Sequence, residues 1–282
     1  MSVAIVCDST CDLPADVARA YDIDIVPLFV NFGERRYRDG VDLTHAEFYA
    51  KLASEKELPT TSQPTSAMFE EAFRPHVQAG RPIVCLTIMS KLSGTINAAQ
   101  AAAAQFPDAA IHLVDSGAVT GGLGLQAIHA AMLARAAVEA TAILAALAID
   151  RKRLRGYATV PDLSHAVRTG RVSRAQAFLG SLVKIVPVLR LDSGLVGEEA
   201  RVRTFARAQE TMLAATLANV GTGAGAFISV MHANAPEIAR GLFEKIGATL
   251  TQEPAYLSVA EVGPVIATHA GAGAAALFSI PG

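Results

Sequence analysis

Pro82-Ile83-Val84-Cys85-Leu86-Thr87-Ile88 leads, after Met89, into Ser90-Lys91-Leu92-Ser93-Gly94-Thr95. An unbroken apolar run of this length reads as a strand buried on both faces, and the Ala-rich residues 95–106 behind the hydroxyl cluster read as a helix. Residues 110–114 then form another apolar run, the next strand. A strand, a polar loop, a helix and a strand in that order make a parallel pair joined by a right-handed crossover. The chain is therefore of the α/β class. In such sheets ligands bind beyond the carboxyl ends of the strands, which is where Ser93, Gly94 and Thr95 stand.

The alternation extends outward in both directions. Residues 3–7 read as a strand, 8–14 as a turn, the stretch to Tyr21 as a short helix and 23–31 as a second strand. Thr44 and Glu47 have the spacing of a capping box for a helix running to Ser54, and Thr65 is placed to cap the next helix. Helices follow at 122–138 and from a cap at Thr141 to the basic Arg151-Lys152-Arg153-Leu154-Arg155. The pattern changes there, which predicts an N-terminal parallel-sheet domain over 1–155 and a mixed-sheet α/β domain over 156–282. In the second half, strands are expected at 156–160, 183–191 and 195–202, with Asp192-Ser193-Gly194 as the hairpin turn between the last two. Helices are expected at 162–169, 173–182, 204–219 and 235–246, and strands at 226–231, near Thr249, near Ser258 and after the last glycines.

With 282 residues, 51% of them hydrophobic and 18% charged, and a mean hydropathy of +0.35, the chain permits an internal cavity for an apolar ligand. A net charge of −2 and the lack of a long Lys/Arg run argue against nucleic acid as a partner. Val3-Ala4-Ile5-Val6-Cys7-Asp8 is too short and too soon charged for a signal peptide, and no apolar run is long enough to span a bilayer. A cytoplasmic protein is expected, with transient contact to a membrane left open. Cys7, Cys11 and Cys85 have neither C-x-x-C nor zinc spacing, and Cys7 and Cys85, in apolar strand-like runs, read as buried thiols.

The chemistry gathers in two polar clusters. Thr60-Thr61-Ser62-Gln63-Pro64-Thr65-Ser66 and Ser90-Lys91-Leu92-Ser93-Gly94-Thr95 each open a predicted helix, whose first N–H groups lack partners and carry partial positive charge. Capping needs one hydroxyl per helix. Thr61 and Ser62 in one cluster, and Ser93 and Thr95 with Gly94 in the other, therefore suit a carboxylate or a phosphate. Of the seven histidines, His269 stands apart in Ile266-Ala267-Thr268-His269-Ala270-Gly271-Ala272-Gly273, read as a glycine-containing turn that can approach a ligand. Arg171, after Thr169-Gly170, can direct a guanidinium at an anion or an acidic partner. Gly122-Leu123-Gly124-Leu125-Gln126-Ala127 resembles a dinucleotide fingerprint, but the preceding strand ends too early, near Val114. Ser93, His269 and Asp115 supply the residue types of a serine esterase acting on lipids, although no nucleophile elbow is present.

Taken together, Asp8-Ser9, Asp12-Leu13-Pro14, Pro27-Leu28, the segments 37–42, 60–64 and 90–95, Val114-Asp115-Ser116, Gly170-Arg171-Val172-Ser173, 184–189 and Thr268-His269 resemble the DegV family of bacterial fatty-acid-binding proteins. That family includes the acyl-binding subunit of bacterial fatty acid kinase. The resemblance implies two α/β domains with a long-chain fatty acid such as palmitate buried between them. It implies a carboxylate held by Thr61, Ser62, Ser93, Gly94, Thr95 and His269, with Arg171 and Thr268 as further head-group or partner contacts. It implies no cofactor and no catalysis by this chain: a separate ATP-using kinase phosphorylates the presented acid. A lipid-sensing regulator is the other non-enzymatic alternative. Thr169-Gly170-Arg171, Gly271-Ala272-Gly273 and Thr65 depart from the family's Gly-Gly-Arg, Gly-Pro-Gly and serine at those places.

Overall fold

A computed structural model describes residues 2–55, 57–161, 164–170, 185–192 and 194–282. The first half runs β1 (Ala4–Asp8), a 3-10 turn (Ser9–Cys11), α1 (Ala15–Ala20), β2 (Ile23–Val26), β3 (Phe29–Phe32), β4 (Arg35–Arg38), α2 (His45–Ser54), β5 (Thr60–Ser62), α3 (Ser66–Gln78), β6 (Ile83–Thr87), α4 (Thr95–Ala103), β7 (Ile111–Asp115), α5 (Gly121–Arg135) and α6 (Ala140–Arg153). Strands β2, β1, β6 and β7 lie in that order in one parallel sheet. All five residues of β6 are buried, as a strand covered on both faces requires.

The second half runs β8 (Arg155–Thr159), α7 (Ser164–Arg168), β9 (Val186–Asp192), β10 (Leu195–Val202), α8 (Phe205–Val220), β11 (Phe227–His232), α9 (Pro236–Thr249), β12 (Tyr256–Glu261), α10 (Pro264–Ala270) and β13 (Ala275–Ile280). Its six strands are ordered β10-β9-β8-β13-β11-β12. Only β11 and β12 pair in parallel, so this sheet is mixed. The β9–β10 hairpin closes at Leu195 opposite Asp192, with Gly194 at a φ of +76° where its lack of a Cβ is needed.

Several sequence expectations need correction. Residues 23–31 are two strands, because Pro27 has no N–H for the ladder and the Leu28 N–H donates to Ser9 Oγ at 3.0 Å. The chain leaves the parallel sheet at that point. It enters a small antiparallel sheet ordered β4-β3-β5, so Thr60, Thr61 and Ser62 are a strand opposite Asn31, Val30 and Phe29 rather than a loop feeding a helix. Thr65 stands at the N-cap of α3 without a side-chain cap bond. Helix α6 starts at Ala140, before Thr141, because the Glu139 carbonyl already accepts from Ala142 and Ile143. No strand forms at Thr249: α9 continues through it, and its hydroxyl donates to the Lys245 carbonyl at 2.7 Å. The expected helix 173–182 lies outside the described residues. The capping box of α2 is formed, with Thr44 N donating to Glu47 Oε2 at 2.9 Å and Glu47 N to Thr44 Oγ1 at 3.3 Å.

Helix α5 joins the layers. Of its 15 residues 11 are buried, and a helix apolar all round must be covered all round. It packs on β1 on one side and on β11 and β13 on the other. The glycines of the apparent dinucleotide fingerprint make this contact: a Cβ on Gly124 would stand 2.8 Å from the Cys11 carbonyl oxygen. One apolar core, including Ile5, Leu86, Leu123, Ile128, Val160 and Phe278, runs through both large sheets. All three cysteines are buried and unpaired with one another.

Candidate ligand cavity

A cavity of about 450 Å³ lies between the carboxyl end of the parallel sheet and the inner face of the mixed sheet. Its apolar wall follows from the two-residue period of strands: Ala158 and Val160 at β8, Leu189 and Leu191 on β9, and Ala276 and Phe278 on β13 point the same way. Leu28, Ile88 and Val119 close it from the first half, and Val265 and Ile266 from α10.

Polar groups meet at one part of this lining. Thr61, Ser62, Gln63, Ser93, Gly94 and His269 all border the cavity. Thr61 Oγ1 lies 3.0 Å from His269 Nε2, joining β5 to α10 across 208 residues. Ser93 Oγ is 2.8 Å from Thr95 Oγ1, and Thr95 is wholly buried, so Thr95 supports Ser93 and does not itself border the cavity. Gly94 has an ordinary φ of −81° at the N-cap of α4; its small size matters, because a Cβ there would come 2.5 Å from Gln63 Oε1. Gln63 therefore lies across Gly94 and ties the two hydroxyl clusters together. It sits inside the first cluster, but nothing in the sequence distinguishes it from its hydroxyl neighbours.

His269 belongs to a helix, not to a turn. Pro264 starts α10 at a position where its missing N–H is harmless, and Gly271, at a φ of +75°, ends it with its N–H on the Ala267 carbonyl. Thr268 is buried with its hydroxyl on the Pro264 carbonyl at 2.9 Å, and it does not border the cavity. Arg171 lies outside the described residues.

Three buried carboxyls organise the surroundings. Asp8, at the end of β1, accepts from Ile88 N at 2.6 Å and Thr10 N at 3.0 Å, fixing the strand ends on which the cavity rests. Burial raises its pKa from 3.8 to about 6, against the pull of those hydrogen bonds. Asp39 accepts from Ser9 Oγ at 2.7 Å and is likewise raised from 3.8 to about 6, chiefly by burial. Asp12 is held well above its ordinary value by burial and by the neighbouring Asp39. The carboxylates of Asp12 and Asp39 press on Gly263, where a Cβ would stand 2.7 Å from Asp12 Oδ1 and 3.4 Å from Asp39 Oδ1. They face the N-terminus of α10, whose partial positive charge suits them. The helix carrying His269 is thus held at its start by residues of the first half and near its end by Thr61.

The esterase arrangement is not assembled. Asp115 accepts from Ser90 Oγ at 2.6 Å, Ser90 N at 3.2 Å and Gly117 N at 3.1 Å, which secures the loop after β6. His269 bonds Thr61, and Ser93 bonds Thr95. A nucleophile, its base and the base's orienter must form one chain of hydrogen bonds, and these three side chains do not.

Two sheets enclosing an apolar space with polar groups at one part of its lining form the kind of cavity in which small ligands bind. The family model described as "Uncharacterised protein, DegV family" matches residues 2–282, and the chain belongs to the DegV family. DegV domain-containing protein BH3627 of Halalkalibacterium halodurans is 33% identical over 276 residues, covering 98% of this chain and 97% of that one. A fatty-acid-binding DegV family protein from Thermus thermophilus superposes with a TM-score of 0.92 at 31% identity, covering 99% of each chain. A stearic-acid-binding protein from Eubacterium ventriosum superposes with a TM-score of 0.90 at 27% identity, covering 99% of this chain and 98% of that one. Among the described residues no helix is long and apolar enough to cross a membrane, and no group of His, Cys, Asp and Glu is arranged to hold a metal ion.

Proposed function

We propose that this chain binds one long-chain fatty acid in the cavity and presents its carboxylate to a separate ATP-dependent kinase. The observation that carries the reading is the division of the lining: Thr61, Ser62, Ser93, Gly94 and His269 gather together, and most of the remaining lining is apolar. The Thermus and Eubacterium relatives, solved as fatty-acid-binding and stearic-acid-binding proteins, support it. Residues 1–155 would supply the hydroxyl cradle, with Thr95 behind Ser93, and residues 156–282 the apolar wall and His269. Burying about 14 methylenes at ~0.8 kcal/mol each gives roughly 11 kcal/mol of gross transfer energy before ordering costs. A hydrogen bond to the charged head adds about 1.5–3 kcal/mol and sets which end of the acid meets the hydroxyls.

In the kinase step, a carboxylate oxygen takes the γ-phosphoryl group of ATP and ADP leaves. His269, beside Thr61, steadies the head group, and Arg171 is assigned to the head group or to the kinase surface. The chain works in the cytoplasm without a cofactor, and any membrane contact is transient. Organic extraction of the purified protein followed by mass analysis should find one fatty acid per chain. Absence of lipid, together with no uptake of added oleate or palmitate, would overturn the reading.

A further inference from the structure

Among the described residues, the apolar wall is built from aliphatic side chains with one exception. Phe278 carries the one phenyl ring among the described lining residues, and it is only 1% exposed. Behind the ring there are glycines instead of side chains. A Cβ on Gly156 of β8 would stand 2.6 Å from Phe278 Cδ1, and one on Gly122 of α5 would stand 2.8 Å from the same atom. Real Cβ atoms do not come so close, so the ring can occupy its place only because both positions lack one. The neighbouring Gly121 meets Met231 and Ser229 in the same way, and beyond it a gap of only about 10 Å³ remains between α5, β11 and β12. That gap, bordered by described residues of α5, β11 and β12, is too small to take further methylenes.

We propose that Phe278, seated in the slot between Gly122 and Gly156, is the stop that limits the length of acyl chain the protein accepts. This rests on the fatty-acid reading: once the carboxylate is held at the hydroxyl cradle, tail length is counted from there toward the ring. Interiors are close-packed, so a tail that overruns a rigid wall is excluded and one that falls short leaves a void. The ring cannot retreat, because backbone lies behind it. Two substitutions then have opposite effects. Phe278→Ala removes the stop and lengthens the accepted chain by roughly two to four carbons, the room a phenyl ring vacates at interior density. Gly156→Ala drives the ring into the cavity and shortens the accepted chain.

The test loads delipidated parent and variant proteins with an equimolar mixture of saturated fatty acids from lauric to behenic acid. Native mass spectrometry reads the length distribution of the bound lipid, and thermal melting shows that each variant is folded. A shift to longer acids for Phe278→Ala and to shorter ones for Gly156→Ala is the expected result. Phe278→Leu, which keeps most of the packing, should shift the same way by less, and it decides the matter if the alanine variant does not fold. Lipid uptake with an unshifted distribution in the folded Phe278 variants overturns the stop alone. No uptake by the parent overturns the fatty-acid reading and the stop with it.

Discussion

The two sides of the cavity are built by different means. On the side of the first half, the polar groups come from a short strand and the ends of loops, and several are placed by a specific contact: the Thr61 hydroxyl on His269, the Ser93 hydroxyl on Thr95, and Gly94 under the Gln63 side chain. On the mixed sheet the wall comes largely from strand alternation, and its apolar side chains have no groups to make directional bonds. Directional groups determine where a charged head sits, whereas a smooth wall supplies affinity in proportion to the area it covers. The comparison therefore predicts that damage to the wall costs binding energy and damage to the cradle costs less energy but more orientation.

The largest effect is expected from the wall. Ala158→Phe should displace about four methylenes of the tail at ~0.8 kcal/mol each, about 3 kcal/mol or roughly 200-fold in affinity, measured by titrating delipidated protein with palmitate. Equal affinity would show that the tail does not lie on β8. The link between the two sides is tested at Asp39. Its carboxyl is raised from 3.8 to about 6 in the folded protein, so the folded state binds the proton more tightly than the unfolded chain does. Stability from this group is present below about pH 4 and is lost as pH rises to about 6, by up to about 3 kcal/mol. Asp39→Asn should remove that slope, so that denaturant midpoints of the variant gain on the parent between about pH 4.5 and about pH 7. A constant difference between the two proteins would contradict it. Asp8 and Asp12, raised by the same burial, leave a residual slope in the variant.

Smaller effects belong to the cradle and to the surface. Ser93→Ala should cost about 1.5–3 kcal/mol of binding, roughly 10- to 150-fold, with an unchanged melting temperature; unchanged calorimetric affinity would assign Ser93 to local structure only. Thr44→Ala breaks the capping box of α2 and should cost about 1 kcal/mol of stability with no change in lipid affinity. A loss of affinity there would mean that α2 bears on the cavity.

What could be read in the sequence was what neighbours in sequence determine. Apolar runs marked β1, β6 and β7, apolar–polar alternation marked β2, Gly194 marked the hairpin, and clustered hydroxyls marked one part of the cavity lining. The small antiparallel sheet escaped because β4, Arg35-Arg36-Tyr37-Arg38, has no apolar alternation, with Arg36 lying over the ring of Phe29. His269 was singled out for a reason the structure revises: the glycines follow the residue and end a helix instead of forming a turn around it. Gln63, the Asp12–Asp39 pair and the slot under Phe278 were not legible at all. Each exists only through contacts between distant segments, such as Asp39 with Ser9, 30 residues apart, and Gly263 against both carboxylates.

Helix α5 has a consequence for how the molecule comes apart. Because it is covered by β1 on one side and by β11 and β13 on the other, neither half can lose its sheet without stripping the other of an apolar face. A boundary near residue 155, where the mixed sheet begins with β8, would separate the strands of the two large sheets, but the apolar core is continuous across it. Heating should therefore give a single cooperative transition whose calorimetric and van't Hoff enthalpies agree. A fragment ending at the boundary would keep α5 with half of its cover missing, and would be prone to associate through the exposed side.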